Sequence, residues 1–364
     1  MYVVTNRKVN KRKEGLEVFG DTPNPVGPNE LRLVKVTKQG SRYETELLDD
    51  KLTLTEVREL KRRFGLDIDE REDWFASLRV ACEIMEQAVR DKRHLLIYVH
   101  GYNNDLKDVL DTAEALEAVY GVIVVPFSWP ANGGGPVSGT MAYLDDKQDA
   151  RVSMDALNRF FAKVHFYHEK LTKARRSELW LRAVEEDEHR DNRGAVRERF
   201  SELLHEDCTV TLNLMCHSMG NYVLKYALQP SAAASSKLIF ENVSLVAADA
   251  SNEDHQTWVE RIQVRNRLYI VINENDYALA WARRKPGVEQ RARLGHYLKN
   301  LIARNAHYID ITRADAVGNA HSYFTGRPVE SNAALKALFQ AAFQGGRAEE
   351  QLAYSADINA YRLT

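Results

Sequence analysis

The chain has 364 residues and a formal net charge of −2, and 44% of its residues are hydrophobic. Its 50 basic and 52 acidic residues nearly balance, which excludes the overall positive field that drives sequence-independent binding to nucleic acid. The apolar fraction is large enough to build a substantial core, so a chain that is disordered throughout is excluded as well.

No apolar run reaches the roughly 18 residues that a membrane helix needs, and the strongest runs, 95–99 and 122–127, have the length of strands. The N-terminal sequence MYVVTNRKVNKRK places its basic cluster after a β-like run, the reverse of a secretory signal, so we expect a cytoplasmic protein. The cysteines Cys82, Cys208 and Cys216 lack the spacing of a zinc site or a CxxC pair, so we expect reduced thiols and no metal.

The N-terminal region, residues 1–65, predicts a strand-rich extension. Its short alternating runs YVVT, LEVF, LRLVKV and YETELL are separated by segments rich in turn residues. After Asp69 the pattern changes to the spacing of a helix, which is predicted to continue to Arg90. The apolar residues of that helix recur every three or four positions, at Trp74, Leu78, Cys82, Met85 and Val89.

An α/β core is predicted over residues 66–345. The strand LLIYVHG, the helix DVLDTAEALEAVYG and the strand VIVVPFSW form a β-α-β unit with continuously apolar strands, typical of a parallel sheet covered on both faces. The sheet resumes with TVTLNLMCHS, VSLVAADAS, LYIVINEND and AHYIDIT. A last helix over 333–344 is expected to end at Gly345, where glycine supplies a left-handed cap, and 346–364 form a C-terminal tail.

A charged helical insertion interrupts this core at about 160–207. An apolar stripe of Leu157, Phe160, Phe161 and Val164 enters it. Its EEDEHRDNRG stretch predicts a solvated turn between helices, with a surface for a protein partner as the alternative.

The sharpest chemical signal is the segment Cys216-His217-Ser218-Met219-Gly220, which lies between an apolar strand and a helix. This is the context of a nucleophile elbow, in which a strained turn exposes a serine and small residues flank it. Cys216 replaces the first glycine of the common G-x-S-x-G pattern. Ser218 is therefore the candidate nucleophile, and simple capping of the following helix is the alternative.

A serine nucleophile needs a histidine base, and the histidine needs a carboxylate that fixes its tautomer. Asp276, at the end of the strand LYIVINEND, is the expected acid, and Asp249 at the end of VSLVAAD is the alternative. His321, in the loop RADAVGNAHSYF after the next strand, is the expected base.

The oxyanion hole is expected from the backbone amides of Tyr102 and Met219. An HG turn after a core strand commonly presents one such donor, and the first helical turn after the nucleophile presents the other. The substrate pocket is expected to involve His100, Gly101, Trp129 and Tyr143, with plain packing as the alternative for the two aromatic residues.

With these residues in place, the chain resembles the α/β-hydrolase superfamily, and within it an uncharacterised bacterial family of serine-hydrolase-like proteins, a domain of unknown function. The resemblance covers most of residues 2–324 and implies a serine-hydrolase fold with its triad, but no substrate. Cys216 and the insertion depart from it. The segments that carry the resemblance are VTNR, YVHGYNN, PFSWPANG, residues 143–153, CHSMGN, NDYALAWAR, Arg293-Leu294-Gly295 and HSYF.

The sequence therefore predicts a serine hydrolase that cleaves a carboxylic ester, or a related acyl bond of a small molecule, through an acyl-enzyme and without a cofactor. One alternative is a lipase or phospholipase that acts at a membrane surface with the insertion as a lid. Another is a non-catalytic hydrolase-fold module that binds a protein partner through residues 160–207.

Overall fold

A computed structural model describes residues 1–27, 30–40, 42–48, 50–131, 139–186, 193–207, 210–228, 238–283 and 292–364. The chain divides into two compact units. The first comprises Met1–Leu47, His94–Phe161 and Thr211–Thr364, and the second comprises Leu48–Arg93 and Ala162–Val210. The domain boundaries expected from the sequence, near 65, 160, 207 and 345, stay predictions.

One large sheet organises the first unit. Within the described residues it has eleven strands in the order β12-β13-β11-β10-β9-β8-β6-β7-β1-β4-β5, and β2 pairs with β3 in a separate ribbon. In chain order the strands are β1 (Tyr2–Thr5), β2 (Arg7–Val9), β3 (Phe19–Pro23), β4 (Arg32–Gln39), β5 (Arg42–Leu47), β6 (Leu95–Val99), β7 (Ile123–Ser128), β8 (Leu212–His217), β9 (Asn242–Val246), β10 (Arg267–Ile272), β11 (Ala306–Asp310), β12 (Ala353–Ser355) and β13 (Ala360–Arg362).

The centre of the sheet is parallel. Strands β7, β6, β8, β9, β10 and β11 pair in parallel in that spatial order, with β1 parallel beside β7 and β13 parallel beside β11. Antiparallel strands lie only toward the edges, where β4 and β5 follow β1, and β12 follows β13. Because parallel strands all end at the same edge, the loops after β6, β8, β9, β10 and β11 can meet there.

Eleven α-helices lie in the described residues. They are α1 (Leu54–Phe64), α2 (Ala76–Asp91), α3 (Leu106–Tyr120), α4 (Gly139–Val152), α5 (Met154–Glu186), α6 (Arg193–Asp207), α7 (Gly220–Ala227), α8 (Gln256–Val259), α9 (Tyr277–Ala282), α10 (Arg327–Ser331) and α11 (Ala333–Phe343).

Helices cover both faces of the sheet. On one face, Tyr98 and Val124 belong to the same buried apolar cluster as Phe339 of α11. Side chains alternate along a strand, so Phe127 of β7 points to the opposite face from Val124. There its ring stacks on Phe160 of α5, with the ring centroids 5.8 Å apart. This arrangement confirms the predicted mostly parallel sheet with helices on both faces.

The second unit is helical and has cores of its own. Trp74 and Leu78 are buried with Tyr167 of α5, and further along α5 Leu179 is buried with Leu203 of α6. The charged turn expected within 185–194 lies largely outside the described residues, which omit 187–192, and Cys208 lies outside them too.

Three local predictions were wrong. The run LEVF is mostly a 3-10 helix over Gly15–Val18, and β3 begins only at Phe19. The region expected to hold only strands contains α1, because Thr53 and Glu56 form a capping box that starts a helix. The next helix begins at Ala76 rather than near Asp69, and Val89 is 41% exposed.

Candidate active site

Ser218 occupies a strained turn between β8 and α7. Its φ of +52° lies in the left-handed region, which a residue with a Cβ adopts only at a cost of roughly 1–3 kcal/mol. The turn also packs tightly on β6. A Cβ at Gly220 would lie 2.5 Å from the carbonyl oxygen of Val99, so only glycine fits two positions after the serine. This is the backbone geometry of a nucleophile elbow.

Asn221, which sequence reasoning did not single out, fixes this turn. Its buried side-chain amide approaches three carbonyl oxygens, those of Cys216 (2.9 Å), Ser218 (3.1 Å) and Val246 (3.2 Å). The backbone N–H of Ser218 donates to the same Val246 oxygen at 3.0 Å. The elbow is therefore tied to β9 as well as to β8. The only sequence signal for this residue was its place in CHSMGN.

Asp276 and His321 are directly hydrogen-bonded. His321 Nδ1 lies 2.7 Å from Asp276 Oδ2, and the aspartate is fully buried. The other oxygen, Oδ1, accepts the backbone N–H groups of Ala278 and Leu279 and so caps α9. The backbone of α9 thus holds Oδ1, and Oδ2 orients the imidazole, as a triad requires.

The loop that carries His321 is anchored on both sides of the histidine. The buried Asn273 side chain, just after β10, donates to the carbonyl oxygens of Gly318 and Ala320. After the histidine, the Tyr323 hydroxyl accepts the N–H of Ala247 and donates to the carbonyl of Val271. In the segment HSYF the His321 side chain thus stays 17% exposed, while the two aromatic residues after it are fully buried.

Asp249, the alternative acid, has other partners. Its Oδ2 accepts the Tyr143 hydroxyl at 2.8 Å, and its Oδ1 lies 3.1 Å from Nε of Arg293. Of the two candidate carboxylates, the structure brings Asp276 to the imidazole and engages Asp249 in a separate buried ion pair.

His217 lies against His321. The two imidazole centroids are 4.7 Å apart, and His217 Nε2 lies 3.3 Å from the backbone oxygen of His321. Burial, followed by the nearby His321, lowers the pKa of His217 well below its ordinary value, so the ring is neutral. A neutral His217 ring that donates from Nε2 holds the backbone of His321 in place without adding a positive charge. This role could not be read from the sequence.

The loop after β6 reaches the elbow at Gly101. A Cβ on this glycine would lie 2.8 Å from Ser218 Cβ and 3.3 Å from Ser218 Oγ. Tyr102 follows directly, and its ring contacts that of Tyr143 at a centroid distance of 5.5 Å. Met219 precedes the first residue of α7 as its N-cap. The two residues expected to donate to an oxyanion therefore immediately follow Gly101 and Ser218.

His100 and Trp129 brace that loop from within. Both side chains are 0% exposed, and their rings stack with centroids 5.0 Å apart. Trp129 Nε1 donates to the His100 carbonyl, while the imidazole lies within hydrogen-bond distance of the carbonyls of Gly101 and Trp129. Burial, with the Arg7 cation, lowers the pKa of His100 to about 3. We had expected both residues to line a pocket, but complete burial gives them a supporting position.

Arg7, from the VTNR segment, is a second support that sequence reasoning left without a role. Its buried guanidinium donates to Asn104 O (2.8 Å), Ala131 O (3.0 Å), Gly20 O (3.2 Å) and Ser128 Oγ (2.9 Å). One cation thus joins the loop after β6 to the loop after β7.

Asp146 of α4 holds the same loop from another side. Its Oδ2 accepts the backbone N–H of Asn103, which adopts a left-handed φ of +59°. The backbone N–H of Asn103 is therefore held by Asp146, and the backbone carbonyl of Asn104 is held by Arg7.

Within the described ranges, no group of three His, Cys, Asp or Glu side chains is placed to hold a metal ion. No helix in that part of the chain has the length and hydropathy to cross a membrane.

Comparison with known proteins supports the fold. Residues 80–174 match a family described as alpha/beta hydrolase of unknown function, and this segment includes β6, the Gly101 loop, β7 and α4. Neither the curated proteins nor the solved structures gave a match. The match and the sheet confirm the resemblance inferred from the sequence. The match ends before Ser218, so the roles expected for Ser218, Asp276 and His321 stay predictions.

Proposed function

We propose that this α/β hydrolase is a serine hydrolase that cleaves a carboxylic ester, or a related acyl bond of a small molecule, through an acyl-enzyme. Ser218 is the nucleophile, His321 the general base and Asp276 the residue that orients the base. The backbone amides of Tyr102 and Met219 stabilise the oxyanion.

The observation that carries the proposal is the 2.7 Å contact between His321 and Asp276, made by an imidazole that packs on His217, the neighbour of Ser218 in the left-handed turn. A carboxylate at Nδ1 keeps the proton on that nitrogen, which leaves Nε2 with its lone pair for the serine hydroxyl. Ser218 is held at a positive φ, and backbone strain of this kind is typical of functional sites.

The chemistry follows in two balanced steps. Ser218 Oγ forms a bond to the carbonyl carbon as its proton passes to His321 Nε2, and the resulting oxyanion lies against the two amides. His321 returns the proton to the leaving alcohol as the ester C–O bond breaks. A water then attacks the acyl-enzyme, giving its proton to His321, and Ser218 recovers that proton as the carboxylic acid leaves.

A fluorophosphonate probe tests the proposal, because it forms a covalent bond only to an activated serine. We expect wild-type protein to be labelled and Ser218→Ala to be unlabelled. Ser355→Ala, on β12 at the far edge of the sheet, is the matched control and should label like wild type. Equal labelling of folded wild type and Ser218→Ala would overturn the proposal.

The membrane-surface alternative has less support. The apolar stripe that a lipid-facing lid would need is mostly buried. Leu157, Phe160 and Phe161 lie in the interior, where Phe161 packs on Phe240 with ring centroids 5.4 Å apart. Rates on dispersed short esters should therefore exceed those on lipid vesicles.

The non-catalytic alternative is separable from the triad. A partner that needs residues 160–207 and binds Ser218→Ala as well as wild type would favour it. We further propose a cytoplasmic location, which is supported by the free thiols of Cys82 and Cys216.

A further inference from the structure

A buried ion pair borders the elbow and has no role in the proposed triad. Asp249 and Arg293 are each 4% exposed, and Arg293 Nε lies 3.1 Å from Asp249 Oδ1. The backbone N–H of Asp249 donates to the carbonyl of Ser218 at 3.1 Å. One backbone hydrogen bond therefore joins Asp249 to the proposed nucleophile, and Arg293 lies on the far side of that carboxylate.

Arg293 has more donors than the pair uses. Its approach to Asp249 is too oblique for a hydrogen bond, and within the described residues neither Nε nor Nη2 has an acceptor although both atoms are buried. Burying donors of a charged group without acceptors is costly, so such groups in native proteins usually meet a partner, water or ligand.

A second cation lies beside the first. Lys147 is one helical turn after Tyr143 on α4, and its Nζ lies 5.0 Å from the centroid of the Tyr222 ring on α7. Burial, followed by the nearby positive charge of Arg293, lowers the pKa of Lys147. Arg293 is paired with Asp249, and Lys147 is influenced by both charges, so an additional anion near the two cations would be stabilised.

The cluster also faces the proposed oxyanion loop. Tyr143 donates to Asp249 with its hydroxyl and contacts the ring of Tyr102 with its own ring. Tyr143 therefore connects Asp249 to Tyr102, the residue after Gly101, and the backbone of Asp249 contacts that of Ser218. The carboxylate that pairs with Arg293 is thus linked to both parts of the proposed catalytic machinery.

We propose that Arg293 and Lys147 form an anion subsite that binds a carboxylate or phosphate group of the ester substrate close to its scissile bond. Arg293 supplies the planar donors that match such an oxyanion group, and Lys147 supplies a second, flexible positive charge. This inference rests on the proposed serine hydrolase and narrows its substrates to anionic esters.

Two pairs of esters test it and distinguish the sources of the anion. The first pair is 4-nitrophenyl hemisuccinate and neutral 4-nitrophenyl valerate. The second is the acetate ester of 2-phosphoethanol and that of 2-methoxyethanol. We expect kcat/KM to favour the anionic member of at least one pair by about 10- to 100-fold, the range of a charge-assisted hydrogen bond. Preference in the first pair places a carboxylate on the acyl side, and preference in the second places a phosphate on the alcohol.

Variants assign the preference to the cluster. Arg293→Met should remove most of the preference for the anionic ester. Lys147→Met lies at a half-buried position that the fold tolerates better, and it should reduce the same preference several-fold. The double variant Asp249→Asn with Arg293→Met keeps the buried pair neutral if the single variant does not fold. The control is Arg267→Met, which breaks the ion pair with Glu349 and should keep the wild-type preference.

The outcomes separate this inference from the proposed function. Absence of Ser218-dependent labelling removes the hydrolase itself. Intact labelling with equal rates in both ester pairs, or a preference that survives Lys147→Met and the double variant, overturns the anion subsite alone.

Discussion

Gly101 and Ser218 meet so closely that no side chain fits between them. A Cβ on Gly101 would lie 2.8 Å from the Cβ of Ser218, well inside van der Waals contact. The loop after β6 and the elbow after β8 belong to neighbouring strands, with Val99 paired to Cys216. Adjacent parallel strands therefore bring the proposed nucleophile and the proposed oxyanion donors together.

Replacing Gly101 by alanine should push the loop after β6 away from Ser218. The added methyl group must push the loop or the Ser218 side chain aside, and errors of about 1 Å in such a site cost on the order of 100-fold in rate. We expect kcat on an activated ester to fall by about that factor with little change in melting temperature. Gly27→Ala is the control, because a Cβ there meets no atom within 4 Å. An active Gly101→Ala would show that the amide of Tyr102 is not needed.

The assignment of the acid can be tested with two isosteric changes. Asp276→Asn keeps an oxygen that caps α9 but removes the charge that fixes the His321 tautomer, so we expect kcat to fall by about 10³- to 10⁴-fold. Asp249→Asn should cost much less on a neutral ester. Steady-state rates, with fluorophosphonate labelling as a second readout, compare the two. A larger loss for Asp249→Asn would exchange their roles.

Arg7 is a positioning residue for the oxyanion loop. Arg7→Lys keeps the charge but cannot donate to four acceptors in a planar fork, so the loop at Asn104 should loosen. We expect kcat to fall about 10-fold or more while KM changes little, because the loop acts on the transition state. Arg267→Lys is the control, because it also replaces a partly buried arginine but does so at an ion pair away from the site. Equal changes in the two variants would reduce Arg7 to a purely structural role.

The neutral state of His100 predicts a pH dependence of stability. Its pKa is about 3 in the folded protein, and an unfolded imidazole titrates near about 6.5. Between these values only the unfolded chain takes up the proton, so acidification lowers the free energy of unfolding by about 1.4 kcal/mol per pH unit.

Asp149 acts with the opposite sign. Burial and neighbouring carboxylates raise its pKa to about 7, so the folded protein holds a proton that the unfolded chain releases above about pH 4. Between pH 6 and pH 4 the two contributions oppose each other, so the difference in slope is the test. In denaturant titrations, wild type should on acidification lose about 1.4 kcal/mol per pH unit more stability than His100→Gln, which removes one titrating imidazole. Equal slopes in the two proteins would contradict a neutral, buried His100.

Much of this architecture follows from local patterns. Continuous apolar runs such as LLIYV and LNLMCH predicted buried parallel strands, since strands covered on both faces have no polar side. The elbow was visible because a strand, a serine and a glycine stood at fixed spacing. Asp276 and Asp249 could not be separated in this way, because both follow strands that end at the same edge. Only the direction in which each carboxylate turns distinguishes them.

The residues that support the candidate site leave weaker signals in the sequence. Arg7, Asn221 and His217 act through contacts with backbone carbonyls far along the chain, and no periodicity encodes such partners. The helix α1 was missed for a different reason. Its Thr53 and Glu56 capping signal was present but was outweighed by the alternating runs before it.

The close packing of Gly220 on the backbone of Val99 affects how the protein should lose activity on heating. Catalytic geometry at the centre of the sheet cannot persist once β6 and β8 slide or part, whereas the outer strands β5 and β12 can fray without disturbing it. Turnover would then report on the integrity of the innermost strands, and spectroscopic signals averaged over the whole sheet would begin to decline at lower temperature than the reaction does.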